Sequence, residues 1–276
     1  MRKAPNRMSI RDVLRIRRGR QAAQLAALVV LAISAAKADR LDTISYNFQV
    51  DSGGGGASAL WNQIAPLEIY CNDFNNDIWV PAQNYSATLS DITPTTLGAT
   101  RFGQLNAADF HKVAFTDADS DNDADVINNA DAYARYEMAA YLVSQYDFPG
   151  QGDPYNSGIQ LAIWEILDPT AYGTPNQFAP GVDPSAALEM AADWYSSFGT
   201  SDTGRQTYLA DYRIVSDTTM VCAKLSSGAC DPDAPLQGGF QEQITRVPEP
   251  AASLSLAFGL IGFFAARRRT RQSTAR

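Results

Sequence analysis

The chain has 276 residues, 45% of them hydrophobic and 19% charged, which suits one large or two small folded domains and excludes a wholly disordered chain. The net charge of −8 hides a segregation: residues 1–38 carry nine Lys/Arg and one acid, residues 251–276 carry five Arg and no acid, and the middle keeps 8 basic against 29 acidic residues. So acidic a body excludes nucleic acid as a partner through phosphate neutralisation, the single His111 excludes a multi-His metal centre, and three cysteines are too few for a disulfide scaffold or a four-Cys zinc site.

Residues 1–38 read as a signal peptide. A basic region runs to Arg20, an apolar stretch runs from Leu25 to Ile33, and Ala36-Lys37-Ala38 has the small-x-small form of a signal peptidase site before Asp39. An uncleaved membrane anchor is the alternative. Export follows from either reading.

The body, residues 39–246, alternates strand-like and helix-like patterns. Strands are expected at Thr43–Val50, Leu67–Cys71, Ile78–Val80, Tyr85–Leu89 and Tyr212–Leu225, with a last one within Gln237–Val247. The run Gly53-Gly54-Gly55-Gly56 reads as a flexible loop, and it lacks the Lys-Ser/Thr ending of a phosphate-binding loop. Three helices are expected between the strand groups. Ala134, Met138, Tyr141 and Leu142 mark the first, and Ile159, Ala162, Ile163, Ile166 and Leu167 mark the second, which Asp168-Pro169 stops. Leu188, Ala191, Ala192 and Tyr195 mark the third, with Asp183 as its cap and Pro184 in its first turn. The expected fold class is α+β, a mixed β-sheet or sandwich core with a three-helix insertion.

Asp117, Asp119, Asp121, Asp123 and Asp125 alternate along one loop, a spacing that suits calcium. The turn glycine and closing glutamate of an EF-hand are replaced by Asn122 and Asn128. The stretch reads first as a solvated acidic loop, with a specific calcium site as the open alternative, and no metal or cofactor is assigned.

Cys222 and Cys230, eight residues apart, can form a disulfide in an oxidising compartment. Cys71 is then left over, either as a reactive group or as a buried free thiol. Its surroundings read Ile69-Tyr70-Cys71-Asn72-Asp73, and about ninety residues on comes Ile159-Gln160-Leu161-Ala162-Ile163-Trp164. The pair resembles the thioester domains of bacterial surface adhesins. There a Tyr-Cys motif on a strand and a Gln-x-Ala-Ile-Trp motif on a helix supply the partners of an internal thioester. The resemblance implies a bond between Cys71 and Gln160, with Tyr70 and Trp164 as its shields. Ile159 stands where a Thr is usual before the Gln, and Asn72 where an apolar residue is usual after the Cys. The chemistry needs these residue types, because only a thiol and a carboxamide held together can exchange ammonia for an activated acyl group. Ser157-Gly158-Ile159-Gln160 is also a capping-box pattern, in which Gln160 would reach back to the Ser157 amide.

At the C-terminus, Val247-Pro248-Glu249-Pro250 precedes sixteen uncharged residues, Ala251 to Ala266, and then Arg267-Arg268-Arg269. As a helix the sixteen would span about 24 Å, short for a bilayer core but close to it. Residues 247–276 resemble the PEP-CTERM sorting signal. That resemblance implies an exosortase as partner, a transient stay in the inner membrane of a Gram-negative bacterium with the Arg cluster cytoplasmic, and delivery to the cell surface or extracellular matrix.

Together these readings describe an exported surface or matrix protein, not an enzyme. It is expected to be a covalent adhesin whose Cys71–Gln160 thioester captures an amine or hydroxyl of a surface or matrix target. A non-covalent structural protein of the envelope or biofilm matrix, with Cys71 a bystander, is the alternative. A Cys-dependent hydrolase using Cys71 and His111 is the third, though no catalytic signature surrounds either residue.

Overall fold

Six strands close into an antiparallel barrel in the order β1-β2-β3-β6-β5-β4. They are β1 Arg40–Gln49, β2 Gly55–Trp61, β3 Ala65–Cys71, β4 Ala82–Asp91, β5 Tyr212–Asp217 and β6 Gln243–Arg246. This computed structural model describes residues 39–49, 54–74, 78, 80–115, 119, 121–146, 154–168 and 181–247. All of these fall in one unit, which begins at Asp39. The expected signal peptide, the Pro-Glu-Pro motif, the apolar span and the Arg cluster lie outside the described residues. Among the described residues no helix is long and apolar enough to cross a membrane.

The α+β class holds, with two corrections to its detail. The sheet is a closed barrel rather than a mixed sheet or sandwich. The last strand, β6, inserts between β3 and β5 and joins the two ends of the meander, so no strand edge is left open. The helical insertion between β4 and β5 holds five α-helices among the described residues, not three. They are α1 Asp123–Asn128, α2 Ala132–Val143, α3 Pro154–Leu167, α4 Ser185–Ser197 and α5 Asp202–Tyr208.

The glycine run departs furthest from expectation. Gly55 and Gly56 open β2, a strand paired on both sides: Gly56 faces Phe48 of β1 and Tyr70 of β3. Other departures are smaller. Ile78 and Val80 are not in a strand, and β5 ends at Asp217 because the chain then turns into the Cys222–Cys230 loop.

Alternation along the strands feeds two cores. One face gathers Leu41, Ala57, Ala59, Leu67, Ile69, Ala87 and Val215. Tyr70, Ile214 and Ile244 point the other way and join the core beneath the helices. The α3 helix lies at the centre of that second core. Every residue from Asn156 to Leu167 is buried, as a helix that is mostly apolar all round requires. It packs against α2, α4 and β2. The N-cap of α4 is Pro184 rather than Asp183, which stands one residue earlier and accepts from the Ser185 amide at 2.9 Å.

Candidate functional site

Cys71 is the last residue of β3, paired with Gln243 of β6. Gln160 lies in the middle of α3. The helix begins at Pro154, so Gln160 stands well past its first turn and cannot serve as the third residue of a capping box. The capping alternative is therefore corrected.

Its carboxamide instead reaches across to the barrel. Gln160 Nε2 donates to the Cys71 carbonyl at 2.8 Å. Gln160 Oε1 accepts from the Gly55 amide at 2.8 Å and from the Tyr146 hydroxyl at 3.0 Å. Two donors on one carbonyl oxygen, both fixed before any reaction, form the arrangement that stabilises an oxyanion. The Cys71 sulfur sits between the Trp164 indole N–H, which donates to it at 3.2 Å, and the Asp73 carbonyl, to which the thiol donates at 3.5 Å.

Gly54 and Gly55 make the close approach possible. A Cβ at Gly54 would lie 2.7 Å from Gln160 Cγ and 2.7 Å from Trp164 Cζ2, well inside ordinary carbon contact. Gly55 takes φ 125, a conformation open to glycine and poor for other residues. That twist presents its N–H to the carboxamide.

The pocket is dry. Gln160 is 0% exposed and Cys71 3%. Cys71 packs with Leu161 and Trp164, and Phe74 meets Trp164 edge-on with ring centroids 5.0 Å apart. Tyr70 stacks on Tyr146 at 5.4 Å, so it braces the hydroxyl that binds Gln160. Burial pushes the Cys71 thiol well above its ordinary range, a rise that the Trp164 N–H only partly offsets. Burial likewise holds the Tyr146 hydroxyl protonated, so it can act only as a donor to Oε1.

A buried polar network fixes the segment after Cys71. Glu242 of the chain leading into β6 accepts from Asn72 Nδ2 at 3.2 Å, Ser216 Oγ at 2.6 Å, Tyr136 OH at 2.5 Å and the Arg101 amide at 2.7 Å. Asp73 forms an ion pair with Arg101 at 2.5 Å, both side chains buried. The polar Asn72 thus belongs to this network. Burial raises the Glu242 carboxyl, against the opposing pull of Ser216, Tyr136 and Arg101.

Of the residues singled out from the sequence, Tyr70, Cys71, Gln160 and Trp164 come together here. Gly54, Gly55 and Tyr146 were not foreseen. The hydrogen bonds of the Cys71 sulfur run to Trp164 and Asp73, and His111 is not one of these partners. Cys222 and Cys230 form a disulfide with Cα atoms 5.3 Å apart, while Cys71 is a free, buried cysteine.

Val247 is tied to the barrel through its amide, which donates to Asp211 O at 2.8 Å. The match to known families begins at that point. Residues 246–269 match the PEP-CTERM protein-sorting motif. The chain carries an exosortase sorting signal. It is an exported protein of the Gram-negative type, and the motif takes in Val247, Pro248, Glu249, Pro250 and Arg267-Arg268-Arg269. No curated protein and no solved structure matches the chain.

Proposed function

We propose that the exported body is a single-use covalent adhesin rather than a turnover enzyme, with an internal thioester between Cys71 Sγ and Gln160 Cδ. The observation that carries this reading is the buried Gln160 carboxamide, tied to the Cys71 carbonyl by one hydrogen bond and fixed by two more from the Gly55 amide and the Tyr146 hydroxyl.

In the proposed step, Cys71 Sγ attacks Gln160 Cδ. The Gly55 N–H and Tyr146 O–H stabilise the charge that develops on Oε1. The thiol proton passes to the amide nitrogen, the C–N bond breaks, and ammonia leaves. The thiol need not be ionised beforehand, because a fixed neighbour reacts at very high effective molarity. The Trp164 N–H stabilises charge on sulfur during attack. Exclusion of water protects the thioester until a target arrives. An amine of the target then attacks Cδ, forms an amide at Gln160 and returns the proton to the Cys71 thiol; a hydroxyl would form an ester in the same way. The cell surface or extracellular matrix is where such a target would be met after exosortase processing.

A second reading has its own support. Both polar atoms of the Gln160 carboxamide are already hydrogen bonded, so the side chain would serve as a tie between β2, β3 and α3. The protein would then be a non-covalent component of the envelope or biofilm matrix.

A biotin-tagged primary amine separates the two. The covalent reading expects labelling at Gln160 in the exported protein, and none after Cys71→Ala. Absence of Gln160 labelling in the wild-type protein under mildly unfolding conditions favours the second reading.

A further inference from the structure

We propose that Asp119, Asp121, Asp123 and Asp193 form a calcium site that fastens the acidic loop to α4. One carboxylate oxygen from each of Asp119, Asp121 and Asp193 lies within 4.8 Å of the others. Calcium holds oxygen ligands at about 2.3–2.6 Å, so ligands on opposite sides of the ion stand about 5 Å apart. Three such groups fit around one ion.

An acidic cluster alone would prove nothing, since surface acids often gather. The deciding observation is Asp123. Its side chain is 1% exposed, and its Oδ2 is buried with no hydrogen-bond partner. The charged groups facing it are all acids: Asp121, whose carboxyl lies within hydrogen-bond reach of it, then Asp193 and Asp119. A buried carboxylate oxygen without a donor is costly, and acidic neighbours make it more so. A divalent cation among the four carboxylates removes both costs together.

The local backbone suits this arrangement. Asn122 takes φ 74 and ψ 36, the left-handed turn that glycine supplies in an EF-hand and that asparagine tolerates. Asp119 accepts from the Asp121 amide at 3.2 Å, which turns the loop on itself. The last acid comes from another element, Asp193 of α4, against which α1 packs. A donor set of carboxylates alone selects a hard cation, and four of them leave positions for water or carbonyl oxygens in the flexible shell that calcium accepts. The protein is exported, and extracellular modules bind calcium at about 0.1–1 mM.

The test is a titration of calcium chloride into the chelator-treated exported protein, followed by calorimetry and by thermal unfolding. Saturable binding of one ion is expected, with Tm raised by about 3–10 °C at 10 mM calcium. Asp193→Asn and Asp121→Asn should each weaken binding at least about tenfold, without lowering Tm in chelator, because each removes a repelling charge. Two results overturn the proposal. One is a wild-type protein with neither binding heat nor a Tm shift at 10 mM calcium. The other is an equal shift with sodium chloride of matched ionic strength. Both are read on the wild type, so they stand even where a variant misfolds.

Discussion

Gly54→Ala tests whether the close approach of the barrel to α3 sets the chemistry. The added methyl would fall 2.7 Å from Gln160 Cγ, 2.7 Å from Trp164 Cζ2 and 2.8 Å from Gln160 Cδ. Ordinary carbon contacts are about 3.5–4.0 Å, so the overlap is about 1 Å against two side chains that are both buried. Neither can swing into solvent. The strain should cost about 1–3 kcal/mol of stability. More tellingly, Gln160 must shift by a distance that loosens its 2.8 Å bonds to Gly55 and Cys71. A displacement of about 1 Å at a reacting group costs on the order of 10²-fold in rate. The assay follows intact mass with time after synthesis, alongside a thermal melt. The variant should stay folded, melt lower and accumulate thioester about a hundredfold more slowly. Thioester formation at the wild-type rate, with an unchanged melt, would refute the packing argument.

Three further outcomes are expected. Tyr146→Phe removes one of the two donors to Gln160 Oε1 while keeping the stack on Tyr70; thioester formation should slow by about 10²–10³-fold with the fold intact by circular dichroism. Glu165, buried beside the Asp183 charge, has its carboxyl pushed up to about 7 by desolvation first and that charge second. The unfolded chain loses this proton near pH 4.5 and the folded chain only near 7, so the group destabilises the fold increasingly across that window and fully above it. Glu165→Gln should therefore leave stability at pH 4 unchanged, raise it at pH 8 by about 1–3 kcal/mol in denaturant unfolding, and flatten the decline between. Replacing Pro248, Glu249 and Pro250 with Ala should leave an unprocessed, membrane-held precursor on fractionation and immunoblotting, whereas normal release would contradict exosortase sorting.

What could be read from the sequence followed local patterning, and what could not depended on contacts between distant segments. The apolar spacings over Ala134–Leu142, Ile159–Leu167 and Leu188–Tyr195 report helices that the fold contains. Barrel closure is different in kind: the insertion of Gln243–Arg246 between β3 and β5 leaves no local mark. Gly53–Gly56 reads as a loop because glycine has weak strand propensity. Yet glycines are what let α3 approach β2 so closely. Pro154 was a usable signal, since proline favours the first turn of a helix; with the helix starting there, Gln160 falls in its interior. Tyr146 follows α2 in no motif, and only the folded chain brings its hydroxyl to a carboxamide fourteen residues away. In the acidic loop, alternation was visible, but the contribution of Asp193 from α4 was not.

The most direct measurement is the intact mass of the freshly purified exported protein, paired with titration of its free thiols after unfolding. The covalent reading expects a mass one ammonia below that of the sequence with its Cys222–Cys230 disulfide, and no titratable thiol at Cys71. Methylamine should then add at Gln160 and release that thiol, and Cys71→Ala should show none of this. A full mass with a titratable Cys71 thiol would contradict the thioester and leave Gln160 as a structural tie.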